Sequence, residues 1–199
     1  MGGLKIMDSV KITLSQEELD WCLKAAEDLV AHYKKRGVNG SGIYHHNRVD
    51  SNLVGLKSEV GTKKWLLNHI SKEDLTFHFE DYYTPNTKGD ILAFSIPLEV
   101  KGLRPHHWDK FQRCIPPSQL KKYVKNNAIV VWTTATGDID NQTVELKGWN
   151  YCWEVDKYGE FRQTICANIW LKDNDKMRGM DTFISELNRC NEQWSVIIG

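Results

Sequence analysis

The period of the apolar residues changes along this chain of 199 residues, and that change limits the folds open to it. In "LSQEELDWCLKAAEDLVAHYKKRG", Leu19, Cys22, Leu23, Ala26, Leu29, Val30 and Tyr33 recur at helical spacing. Ser15 precedes this run with Glu18 three residues on, the pair that makes a capping box. Lys34, Lys35 and Arg36 before Gly37 predict its end. The Gly- and Asn-rich "GVNGSGIYHHNRVDSN" reads as a connector. A second helix is predicted in "LVGLKSEVGTKKWLLNHI", where Leu53, Leu56, Val60, Trp65 and Leu67 share a face. From residue 74 the pattern becomes strand-like, in "DLTFHFEDYY", "DILAFSI", "PLEVKGL" and "AIVVWTTA". "TVELKGWNYCW" continues it with a bend near Gly148, and "FRQTICANIWL" adds a further strand. A short helix, "SQLKKYVKN" with Ser118 as cap, interrupts the strands; "MDTFISELNRC" predicts a terminal helix and "WSVII" a last strand. Helix, strands, helix, strand is the order of an α/β domain with a mixed central β-sheet flanked by helices.

Composition narrows the partners. Lys and Arg number 26 and so do Asp and Glu, so no global field draws the chain to nucleic acid or to an anionic membrane. Cys22, Cys114, Cys152, Cys166 and Cys190 are scattered and form no CxxC pair. The opening "MGGLKIMDSVKITLS" lacks a long apolar run. Reduced thiols, a cytoplasmic setting and no membrane partner are the expectation.

Charge is placed unusually in "GDILAFSIPLEVKG". Asp90 opens one strand, and Glu99 and Lys101 on the next are one residue apart, so they share a face. Pairing of the two strands as a hairpin brings the two carboxylates together. Close carboxylates repel unless a cation lies between them, and oxygen ligands favour Mg²⁺, with Mn²⁺ able to substitute. Lys101 would then orient or deprotonate a water beside the metal, which is machinery for phosphodiester hydrolysis. Alone, a Glu–Lys pair on a solvated edge hairpin is ordinary. The neighbouring segments change the weighting. "GLKSEVGTKKWL" puts Glu59 on the helix before the sheet, and "PPSQLKKYVKNNAIVVW" carries Gln119 and Tyr123 in a helix leading into a strand.

These elements, over residues 53–133, resemble the PD-(D/E)XK nuclease superfamily, with Gly89 where its signature has proline. The resemblance implies a restriction-endonuclease-like core. Asp90 and Glu99 would hold the metal with the Val100 carbonyl, Lys101 would position water, and Glu59 would reach a metal-bound water or second metal. Gln119 and Tyr123 would support the site or contact the nucleic-acid backbone. Residues 1–52 then form an N-terminal helix and loop, 53–133 the catalytic core, and 134–199 a C-terminal sheet and helix extension of one nuclease domain.

Beyond Lys101, the basic residues Arg104, Lys110, Arg113, Lys121, Lys122 and Lys125 meet only Asp109 in opposition. With Arg48 they form a candidate phosphate-contacting surface. His45-His46 and His106-His107 lack the spacing of a zinc site. "DIDN" at 138–141 reads as a turn rather than a calcium loop. Trp132, Trp149, Trp153 and Trp170 read as core rather than base-stacking residues. The expected activity is that of a metal-dependent DNA endonuclease working as a homodimer; its small size and lack of an obvious recognition domain suggest a phage-type, repair or recombination nuclease. A Holliday-junction resolvase or exonuclease, an RNase or defence nuclease, and a catalytically silent nucleic-acid-binding protein are the alternatives.

Overall fold

The computed structural model describes residues 9–35, 48–83, 88–111, 113–163, 167–172 and 176–198. His45, His46, Cys166 and the Gly37 helix stop lie outside them. A strand, β1 (Val10–Thr13), precedes helix α1 (Gln16–Lys35). The capping box forms as its sequence requires: the Glu18 N–H donates to Ser15 Oγ at 3.2 Å and the Ser15 N–H to Glu18 Oε2 at 2.6 Å. Helix α2 (Val49–Leu67) packs against α1. Three strands follow: β2 (Leu75–Phe77), β3 (Ile91–Ala93) and β4 (Ile96–Leu103). Then come α3 (Pro105–Phe111), β5 (Cys114–Ile115), α4 (Pro117–Lys125) and β6 (Ile129–Ala135). The remainder is β7 (Thr143–Tyr151), α5 (Cys152–Tyr158), β8 (Glu160–Gln163), β9 (Ala167–Trp170) and α6 (Phe183–Ile198).

Six strands form one mixed sheet in the order β1-β7-β6-β4-β3-β2, in which only β4 and β6 run parallel. β5, β9 and β8 form a second, small antiparallel sheet. Strand β6 is buried along its whole length because both faces of the large sheet are covered there. Ile129, Val131 and Ala135 face the core that includes Leu19 and Leu53. Val130 and Trp132 face a second core with Leu120, Tyr123, Cys152 and Leu171. The same alternation governs β4. Leu98 and Val100 point into the first core, which sends Glu99 and Lys101 to the face where α4 lies.

Several expectations change. "DLTFHFEDYY" is a strand only to Phe77, after which His78–Glu80 form a 3-10 turn folded onto Asp90. Pro116, not Ser118, is the N-cap of α4, with Pro117 in its first turn, where the missing N–H costs nothing. "TVELKGWNYCW" leaves the sheet at Tyr151 and turns into α5. "FRQTICANIWL" divides into β8 and β9, and "WSVII" continues α6 rather than forming a strand. The bend near Gly148 is present: φ there is +150° and the β6–β7 register shifts beside it, at Trp132/Thr133.

The β3–β4 hairpin turns on two residues, Phe94 and Ser95, with φ of 51° and 70°. Both lie in the left-handed region that a two-residue hairpin turn demands and that side chains disfavour. Ser95 is exposed, so Ser95→Gly should raise stability by about 0.5–1 kcal/mol, read by chemical denaturation.

Candidate metal centre

Asp90 lies one residue ahead of β3 and is held on every side. Its N–H donates to the Leu98 carbonyl at 2.8 Å, and its carbonyl accepts from the N–H groups of His78 at 2.9 Å and Phe79 at 3.2 Å. Its carboxylate Oδ2 accepts from the Val100 N–H at 2.7 Å. Gly89 makes this placement. Its φ is +93°, and a Cβ there would stand 2.7 Å from the Leu98 carbonyl oxygen. Proline, fixed near φ −65°, cannot occupy the position. Gly89→Ala should cost roughly 2 kcal/mol by denaturation and loosen Asp90.

Glu99 is nearly buried, and Lys101 Nζ donates to its Oε1 at 2.5 Å and to Gln119 Oε1 at 3.2 Å. Tyr123 lies against this pair, with the ammonium of Lys101 5.5 Å from the centre of its ring. Gln119 and Tyr123 are four residues apart, so α4 presents both on the face turned to β4. Glu59 comes from α2 and is half-buried. The Lys63 that would otherwise pair with it one turn on is bound to Glu80 at 2.5 Å.

Electrostatics ties these groups together. Burial first, then the charge of Glu99, pushes Asp90 up to about 7, against the pull of Lys101, the Val100 N–H and Lys122. Burial and then Asp90 and Glu99 raise Glu59 well above the ordinary carboxylate range. Burial lowers the Lys101 pKa, but Glu99, Tyr123 and Asp90 outweigh it and raise the net value, so Lys101 is an ammonium at neutral pH. As an ammonium it can orient a water and stabilise negative charge.

The residues fit a hard divalent cation by chemistry. Asp90 Oδ1 lies outside the Val100 hydrogen bond and Glu99 Oε2 outside that of Lys101. Along a strand the N–H and C=O of one residue point the same way, so the Val100 carbonyl faces Asp90 as its N–H does. Raised carboxyl pKa values mark a site short of positive charge. Among the described residues no three His, Cys, Asp or Glu side chains are gathered so that they could hold a metal ion, and Lys101 is paired with Glu99.

The proposed nucleic-acid residues divide. Lys122 acts electrostatically on Asp90 and Lys121 is exposed on the same helix. Arg48 and Arg104 instead converge on Asp50, at 2.7 Å and 2.6 Å, so part of their charge is already neutralised. Sequence reasoning missed Asp50 and the 3-10 turn at His78, whose roles depend on contacts remote in sequence. No protein-family model, no curated protein and no solved structure matches this chain.

Proposed function

We propose that the protein is a metal-dependent nuclease that hydrolyses phosphodiester bonds, with DNA as the expected substrate and a restriction-endonuclease-like core as its frame. The observation that carries this reading is the Lys101–Glu99 ion pair at 2.5 Å beside Asp90, with the Asp90 and Glu59 carboxyls raised by burial and by the charge of Glu99. A structural hairpin has no use for three interacting acids on a half-buried surface, since each unpaired charge costs stability. Asp90, Glu99 and the Val100 carbonyl would hold Mg²⁺ or Mn²⁺, with Glu59 beside them. A bound cation of this kind would polarise the phosphate and lower the pKa of a coordinated water.

The chain's own residues supply the rest. Lys101, fixed by Glu99 and Gln119, directs a water and meets the charge that develops on the phosphate oxygens. Tyr123 walls the site from α4, its ring beside the Lys101 ammonium. Lys122 and Lys121 contact backbone phosphates, which positions the strand without reading its sequence. Water adds across one P–O bond and its proton passes to the departing oxygen. A homodimer would cut both strands of a duplex, one site on each.

The test is incubation of supercoiled plasmid and of single-stranded DNA with the protein in Mg²⁺, in Mn²⁺ and in EDTA. Nicking or shortening in either metal, abolished by EDTA, is expected. No cleavage of either DNA, nor of RNA, in either metal would overturn the reading.

A further inference from the structure

Helix α5 packs on α4, the helix that brings Gln119 and Tyr123 to the candidate site. Its second residue, Trp153, is 43 % exposed, although the sequence reads it as core. Tyr158 at the end of the helix is 45 % exposed. Trp153 does not stand alone. Its ring is stacked on Tyr151, 6.0 Å between centres and 22° between planes, and Tyr158 flanks it at 6.5 Å. Behind Tyr151, the Arg178 guanidinium lies 5.4 Å from its ring centre and is locked by two hydrogen bonds to Glu154, at 2.5 and 2.8 Å. The Tyr151 hydroxyl is tied to Glu186. Guanidinium, phenol and indole thus form a braced series that ends in an exposed indole. The ammonium groups of Lys157 and Lys176 lie 5.2 and 5.1 Å from the Tyr158 ring centre.

We infer that Trp153, with Tyr151 and Tyr158, is a stacking platform for an unpaired base of a single-stranded nucleic acid. The inference rests on the nuclease reading and names its substrate class: nucleic acid with an unpaired segment. An indole already stacked on one side loses little freedom when a base takes the next place. The lysines beside Tyr158 suit the phosphates on either side of that base. Carboxylates temper this attraction, because Asp156 is exposed on the same helix, while Glu154 is spent on Arg178. Stacking therefore carries the contact and salt dependence is shallow.

The experiment is fluorescence anisotropy of a labelled oligothymidine and of a duplex of equal length, in EDTA so that nothing is cut. Wild type is expected to favour the single strand, Trp153→Ala to weaken it about tenfold, and Trp153→Phe to keep most of the affinity. Being exposed, Trp153 can be replaced without loss of the fold, which circular dichroism checks. Unchanged binding by Trp153→Ala, or equal affinity of wild type for the duplex, overturns the platform. So does a homodimer by sedimentation that Trp153→Ala dissolves, since the patch is then a self-interface. Single-strand binding without cleavage in Mg²⁺ supports the platform and removes the nuclease reading; duplex cleavage without single-strand binding does the reverse.

Discussion

Lys101→Ala should lower metal-dependent cleavage by a hundredfold or more while leaving the fold intact. The ammonium is bonded directly to Glu99 of the acidic site, and it is fixed from two sides, by Glu99 at 2.5 Å and by Gln119 at 3.2 Å. A donor held in place before reaction needs no reorganisation when charge develops on the phosphate, and removal of such a donor costs about 3–4 kcal/mol. Lys101→Arg keeps the charge but not the reach, because its planar fork does not reproduce a compact ammonium between two acceptors. It should recover only a small part of the rate. The loss should fall on kcat more than on KM, measured under single-turnover and steady-state conditions on one oligonucleotide. Equal cleavage by wild type and Lys101→Ala would make Lys101 a structural partner of Glu99 only.

Lys57→Met should destabilise the protein by roughly 3–5 kcal/mol. Lys57 is fully buried on α2, and its ammonium donates to the carbonyl oxygens of Thr136 at 3.1 Å, Asp138 at 3.0 Å and Asn141 at 2.5 Å. It gathers the β6–β7 turn, which closes its own ends by short local bonds: the Asp140 N–H to Asp138 Oδ1 at 3.0 Å and the Thr143 N–H to Asn141 Oδ1 at 2.9 Å. Burial holds the Lys57 pKa below that of a free lysine, so the three carbonyls are what keep the charge inside. Methionine fills the volume but leaves the three acceptors without their shared donor. At this chain length the melting temperature should fall by about 10 °C. Denaturant midpoints within 1 kcal/mol of wild type would mean that water takes the place of the ammonium.

Local signals were the legible ones. Ser15 and Glu18 cap α1 from three residues apart, and no distant contact decides that. Glu99 and Lys101 share a face because strand period is two, and Gln119 and Tyr123 share one because helix rows repeat at four. What the sequence concealed depends on remote partners. Lys57 reads as one more helical lysine until the β6–β7 turn arrives over it. "NYCW" has strand-forming aromatics, yet Tyr151 starts a helix because Glu154 reaches back to its N–H at 3.0 Å and Arg178 fixes Glu154. Nothing between Cys190 and Trp194 breaks a helix, so α6 runs on through a stretch of β-branched residues. Arg48 and Arg104 promised phosphate contacts because Asp50 is a neighbour of one of them only in sequence and of both in space.

The central claim is that Asp90 takes part in metal-dependent hydrolysis, and the direct measurement is the nicking rate of supercoiled plasmid by wild type and Asp90→Asn in Mg²⁺ and in EDTA. Asparagine keeps the size of the side chain and an oxygen for the Val100 N–H, so the fold should hold. The account predicts cleavage by wild type in Mg²⁺ alone and a rate at least a hundredfold lower for Asp90→Asn. Cleavage by Asp90→Asn at the wild-type rate, or by wild type in EDTA, would contradict it.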